Sequence, residues 1–147
     1  MRKISLTSPS FEERQLIPAR HSCEGQDSSP PLHFENVPTE TKSLAVIVED
    51  HDAPVGVFDH WVLWNIPADT VDLPERTNLG TNGINHFGEY RYRGPCPPRG
   101  KPHRYVFKVF ALGKEIDLPQ GSNKQELEFA MKNHIVGYGE LTGMYRR

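Results

Sequence analysis

The chain has 147 residues, of which 36% are apolar, and its 17 Lys and Arg against 19 Asp and Glu leave a formal charge of -2. That balance argues against a general nucleic-acid binder or a membrane-surface binder working through bulk charge. The length suits one domain over residues 1–147, able to bury about two-thirds of its unfolded surface.

In chain order, the first twenty residues contain no uninterrupted apolar run, so neither a secretory signal nor a membrane-spanning segment is expected, and a cytoplasmic protein is the default. Short strands are expected at Ile4 to Leu6 and Leu32 to Phe34. Three longer β-branched or aromatic runs bounded by proline and glycine predict the main strands: Lys42 to Glu49, His60 to Ile66 and His103 to Leu112. All three read as buried on both faces. Between the second and third lies an excursion from Ala68 to Pro102, of a length that is usually functional or disordered. Near the C-terminus, Ser122 and Gln125 form a Ser-x-x-Gln capping box ahead of Leu127, Ala130, Met131 and Ile135 at helical spacing, with Gly137 as the stop. The tail GELTGMYRR can add a short strand. The sum is a mainly β domain with one or two peripheral helices. The 13 prolines and 12 glycines read as turn punctuation, and no internal repeat is present. The two cysteines, Cys23 and Cys96, lack Cys-x-x-Cys spacing and read as two buried thiols rather than a bridge.

Five residues stand where these strands meet turns: Asp50, Asp52, His60, His103 and Tyr105. Residues two apart in an extended segment share a face. Asp50 and Asp52 therefore pair, as do His103 and Tyr105, while His60 opens its strand on the side of Val62 and Trp64. Taken singly, the acids suit turn residues before Pro54, His60 a core histidine and Tyr105 a core tyrosine. Taken jointly, they suit a pocket at one end of the sheet. Arg91, Arg93, Arg99, Lys101 and Arg104 close the excursion as a basic cluster, stiffened by Pro95, Pro97, Pro98 and Pro102.

These motifs resemble the phosphatidylethanolamine-binding protein family, also called Raf kinase inhibitor-like, and in particular its short bacterial and archaeal members. The family's Asp-Pro-Asp-Ala-Pro signature is matched by Asp50, Asp52, Ala53 and Pro54, and its strand-opening histidine by His60. Its Gly-Pro-x-Pro-Pro-x-Gly turn leading into His-Arg-Tyr is matched by Gly94 to Gly100 and His103 to Tyr105. Weaker matches are Cys23 with Gly25, Ser29 to Leu32, Asn85 to Gly88, and Glu140 to Tyr145. The resemblance implies an antiparallel β-sandwich with one or two peripheral helices. It also implies a non-enzymatic pocket for a small anion or phosphorylated head group, lined by Asp50, Asp52, Pro54, His60, Pro98, His103 and Tyr105, with no cofactor and no metal. Ala53-Pro54 is a cis-peptide candidate by the same similarity.

The chain departs from the family pattern at His51, where proline is usual, at His21, where an aromatic is common, and at Arg91 and Arg93 beside Tyr92. His51, Arg91 and Arg93 are therefore expected as a cationic rim, and the nearby acids are expected to raise the histidine pKa values. The runner-up function is a protein-interaction module that inhibits a kinase or serine protease. A metal-dependent hydrolase built from the two Asp and two His is a weaker alternative. Apolar residues around Phe58 and Phe87 suggest a homodimer.

Overall fold

The protein is described by a computed structural model covering Met1–Arg147. Nine strands form two sheets. The larger has the order β1-β9-β8-β4-β5-β7 and the smaller β2-β3-β6. In chain order they are β1 (Arg2–Lys3), β2 (Ser5–Thr7), β3 (Leu32–Glu35), β4 (Ser43–Asp50), β5 (Phe58–Pro67), β6 (Asp72–Leu73), β7 (Thr81–Asn82), β8 (His103–Leu112) and β9 (Ile135–Tyr145). Every pairing is antiparallel except β1 with β9. This is the mainly β architecture read from the sequence, with one α-helix, α1 (Lys124–Met131), and a 3-10 turn at Ala19–His21.

The central strand β4 is buried along its whole length because both faces of the large sheet are covered. One face carries a 20-residue cluster that includes Leu44, Val46, Val48, Trp61, Leu63, Phe107, Val109 and the small sheet's Leu32 and Phe34. The other carries Ala45, Ile47, Val62, Trp64, Leu112 and Ile116 beneath Leu127 and Met131 of α1. Alternating side chains of one strand thus feed opposite cores, which is why these strands read as continuous apolar runs.

Five sequence expectations are corrected. The helix cap is Asn123, not Ser122: its side chain accepts from the Glu126 amide while the Glu126 carboxylate accepts from the Asn123 amide, so the capping box sits one residue later. Ser122 instead bonds the Pro119 carbonyl. The helix ends at Met131 rather than Gly137, which lies inside β9 where a Cβ would meet the Pro38 ring at 3.1 Å. The tail is a strand of 11 residues, far longer than expected, because it has β8 as a partner from Ile135 to Tyr145. Cys23 and Cys96 form a disulfide, with Cα atoms 5.4 Å apart, in place of the two thiols expected. Spacing in the sequence could not reveal this, since 73 positions separate them. All peptide bonds are trans, Ala53-Pro54 included. No helix is long and apolar enough to cross a membrane.

Candidate functional site

The site gathers where β4 ends, β5 begins and β8 begins. Asp50 is the last residue of β4 and pairs with Phe58 on one side and Tyr105 on the other. By alternation it shares the face of Val46 and Val48, as His103 and Tyr105 share that of Phe107.

His60 reaches the same face by a different route. Val48 pairs with Trp61 but Glu49 pairs with Asp59, so His60 is the extra residue of a β-bulge. The bulge turns it away from the side of Val62 and Trp64, where uninterrupted alternation places it, and toward Tyr105, with ring centroids 5.3 Å apart. Strand parity alone had assigned His60 to the wrong face.

Asp50, Pro54, His60, Pro98, His103 and Tyr105 line one cavity of about 190 Å³, completed by Ala53, Val55, Phe58, Phe87, Cys96 and Pro97. That is smaller than the roughly 300 Å³ at which drug-sized pockets begin, so the space suits a small ligand. A larger, open hollow of about 630 Å³ between Phe34–Thr41 and Ala68–Val71 contains neither an imidazole nor a phenol.

Each polar group in the cavity has a defined partner or conspicuously lacks one. Asp50 Oδ2 accepts from Nδ1 of His103 at 2.7 Å, and its Oδ1 accepts from the Asp52 amide at 2.8 Å, closing the turn. Nδ1 of His60 lies 2.7 Å from the Arg93 carbonyl, which can only accept, so Nδ1 carries the proton. In both imidazoles Nε2 is left for a ligand. The Tyr105 hydroxyl is buried with no aligned hydrogen-bond partner. Burial, followed by the Asp50 charge and the approach of the hydroxyl to the Asp50 carboxylate, pushes its pKa well above the usual phenol value, so it stays a donor.

The histidine expectation is corrected at His60. Burial lowers its pKa below 6.5 despite opposing contributions from the Arg93 carbonyl and the Asp50 charge. Desolvation outweighs the acids because only 3% of the residue remains exposed.

Asp52 lies outside the cavity lining. β4 stops at Asp50, so parity no longer applies, and Asp52 forms a two-oxygen pair with Arg104 at 2.9 and 3.0 Å. The Arg104 hydrogen bonds hold its pKa at about 2. The expected rim is also placed elsewhere. His51 Nε2 bonds Glu49 Oε1 at 2.8 Å, away from the cavity. Arg93 pairs with Asp27 at 2.7 Å and with Glu89, and its guanidinium stacks over Phe87 at 4.7 Å from the ring centre. Arg91 pairs with Glu89 at 3.0 Å. These arginines are neutralised and brace the wall from behind. His21 is fully buried, bonded to the Ser28 carbonyl and Ser10 hydroxyl.

Residues that sequence reasoning passed over do much of the building. Phe58 and Phe87 pack edge to face at 4.9 Å, are partly buried, and wall the cavity. Asn85, 3% exposed, accepts from the Phe87 and Glu89 amides and donates to the Arg91 carbonyl, which folds the excursion and delivers Phe87. Asp27 accepts from the Gly94 amide at 2.7 Å and starts the proline-rich strip. Gly94 is required there because a Cβ would sit 1.9 Å from the His21 carbonyl oxygen. The Asn-His-Phe-Gly piece was the available signal for the first of these; Asp27 had none.

Behind the site, the chain neighbours of Asp50 and His60 form an ionic cluster on the opposite face. Lys124 Nζ is 2.8 Å from Glu49 Oε2 and 2.7 Å from Asp59 Oδ1, and Lys108 Nζ is 2.9 Å from Glu49 Oε1. The hydrogen bonds from Lys124, His51 and Lys108 outweigh burial and hold Glu49 down at about 2. Nowhere do three or more His, Cys, Asp or Glu side chains gather in a metal-holding group.

A family model for phosphatidylethanolamine-binding proteins matches residues 7–146. A UPF0098 protein of Methanothermobacter thermautotrophicus is 42% identical over 98% of this chain and 99% of its own length. One from Pyrococcus horikoshii is 44% identical over 99% of this chain and 78% of its own. Among solved structures, a Chlamydia trachomatis protein described as a phosphatidylethanolamine-binding protein homologue superposes with a TM-score of 0.95 at 38% identity, covering 100% of this chain and 99% of that one. Escherichia coli YBCL, described as a member of the mammalian family, gives 0.90 at 32% identity, with 98% of both chains covered.

Proposed function

Because this chain belongs to the phosphatidylethanolamine-binding protein family, we propose that its cavity binds a small anion, either free or as a phosphorylated head group, without catalysing its conversion. The observation that carries this reading is the buried Tyr105 hydroxyl, close to the Asp50 carboxylate but without an aligned hydrogen bond, beside two imidazoles whose Nε2 atoms are free. A buried donor left unmatched costs the free protein about 1–3 kcal/mol, which a ligand oxygen would return.

The proton inventory defines how an anion is held. An ionised Asp50 offers acceptors only, so its role is to orient His103 through Nδ1 rather than to touch the ligand. A neutral imidazole presents Nε2 as an acceptor, and an anion therefore needs a protonated ring. His60 is kept neutral by burial in the free protein, so binding draws in a proton. Phe58, Phe87, Pro97 and Pro98 give the cavity apolar walls, and the lower local polarity strengthens each charged hydrogen bond made against them.

The test is an NMR titration of the full chain with inorganic phosphate and with phosphoethanolamine, read at the imidazoles of His60 and His103 across about pH 5 to 8. Both rings are expected to shift, with affinity rising as pH falls. Rings that stay unmoved at millimolar phosphate throughout that range would refute the reading. Preference for phosphoethanolamine over phosphate would identify a head group rather than a free anion.

A further inference from the structure

We infer that the Cys23–Cys96 disulfide is a redox-sensitive clamp on the cavity: reduction by a cellular dithiol releases the proline strip that forms one wall and weakens ligand binding. The inference rests on the reading of the cavity as an anion site.

The wall in question is Cys96, Pro97 and Pro98, which line the cavity together with Pro54, Val55 and His103. From Pro95 to Pro98 the chain has three prolines and therefore a single amide N–H, so no β-ladder can secure it. The strip belongs to neither sheet. Two hydrogen bonds hold its carbonyls: the Cys23 amide donates to Pro95 at 3.1 Å, and Arg147 Nε donates to Pro97 at 2.7 Å. The first comes from the same residue that supplies the disulfide. The second comes from an exposed arginine side chain, outside both sheets.

The anchor on the far side is firm. Cys23 follows His21 and Ser22, both fully buried, and the Ser22 hydroxyl bonds the Ala19 carbonyl at 2.7 Å and the Tyr145 hydroxyl at 2.9 Å. The disulfide therefore ties to a rigid frame a strip that has few hydrogen bonds of its own and is otherwise held by the packing of Pro95 and Pro97. Both cysteines are partly exposed, as attack by an external thiolate requires.

The chemistry balances with one reductant. A thiolate of the dithiol attacks one cysteine sulfur, the Cys23–Cys96 bond breaks, and a mixed disulfide forms. The reductant's second thiol then displaces the remaining cysteine. Two electrons and two protons pass from the dithiol, which leaves as its own disulfide, to give two cysteine thiols.

Phosphate affinity of the full chain would be measured by calorimetry in the oxidised form, after dithiothreitol, and after reoxidation, with thiols counted and far-UV circular dichroism recorded at each stage. The expected result is an affinity about tenfold weaker on reduction, with unchanged secondary structure and recovery on reoxidation. A Cys23→Ser, Cys96→Ser double variant should match the reduced form and ignore dithiothreitol. Equal affinity in both redox states overturns the clamp, and so does unfolding on reduction, which would make the bond a staple of the fold. His60 and His103 resonances, followed on reduction without phosphate, separate the two readings. If the oxidised chain binds no phosphate, the anion reading falls; if those resonances do not move, the clamp falls.

Discussion

Replacing Lys124 by methionine removes the charge that joins α1 to the back of the site while keeping most of the stem's packing. In the native protein Nζ contacts Glu49 at 2.8 Å and Asp59 at 2.7 Å, carboxylates whose side chains are only 4% and 3% exposed. The variant leaves Glu49 with Lys108 and His51, but leaves Asp59 with only the His86 ring at 3.6 Å. Breaking a buried pair from one side costs about 3–5 kcal/mol. For a chain of this size that lowers Tm by roughly 10 °C. The loss should depend on pH with a definite sign. Glu49 is depressed from 4.5 to about 2, so its contribution is complete above pH 4.5 and disappears as pH falls toward 2. At 1.36 kcal/mol per unit that contribution is at most about 3 kcal/mol. Urea melts of both proteins at pH 7 and at pH 3 are the assay. The gap between them should be large at pH 7 and clearly smaller at pH 3. A gap below about 1 kcal/mol at pH 7, or an equal gap at both pH values, would refute the argument that this buried charge is what Glu49 and Asp59 depend on.

Tyr105→Phe should change the stability of the free protein by no more than about 1 kcal/mol, because the buried hydroxyl it removes makes no aligned hydrogen bond. The same change should weaken phosphate binding about tenfold or more, as measured by calorimetry; lost stability with intact affinity would show that the hydroxyl serves the fold instead. Gly94→Ala should cost about 3 kcal/mol, since its Cβ would meet the His21 carbonyl oxygen at 1.9 Å, and a melting curve superimposable on the parent's would contradict that packing. Burial lowers the pKa of His21 and His60, so at these two sites the folded state binds fewer protons than the unfolded chain and their contribution to stability falls as pH drops below about 6.5, while partly exposed His33, raised by its hydrogen bond to Asp72, acts in the opposite direction. A single His60→Gln change should flatten part of that slope, and an unchanged slope in urea melts between about pH 5 and 7 would rule out His60 as a contributor.

Much of the fold was legible because it rests on local patterns. Lys42 to Glu49 and His103 to Leu112 are strands on propensity and bounding turns alone, and their observed limits, Ser43–Asp50 and His103–Leu112, differ little or not at all. β9 was less legible: Gly137, Gly139 and Gly143 weaken its strand signal, yet they are what let Ile4, Ile17 and Phe11 pack against it. The capping box was displaced by one residue because Ser-x-x-Gln and Asn-x-x-Glu overlap at Ser122 to Glu126, and only packing of Leu127 and Met131 selects between them.

The site divides the same way. The sequence by itself singled out Asp50, His60, His103 and Tyr105, ionisable or polar side chains at strand ends, as residues of one candidate pocket, since side-chain alternation follows from an extended backbone. Only the tertiary structure decided how they meet. A bulge at His60 reverses its face, a turn carries Asp52 out to Arg104, and Asp27 and Glu89 claim the arginines that looked free. The Cys23–Cys96 bond joins the cavity wall to a distant turn. Asp52 with Arg104, Asp27 with Arg93 and Cys23 with Cys96 join residues more than fifty positions apart, and no local pattern encodes a contact whose energy comes from burial and charge pairing across the folded chain.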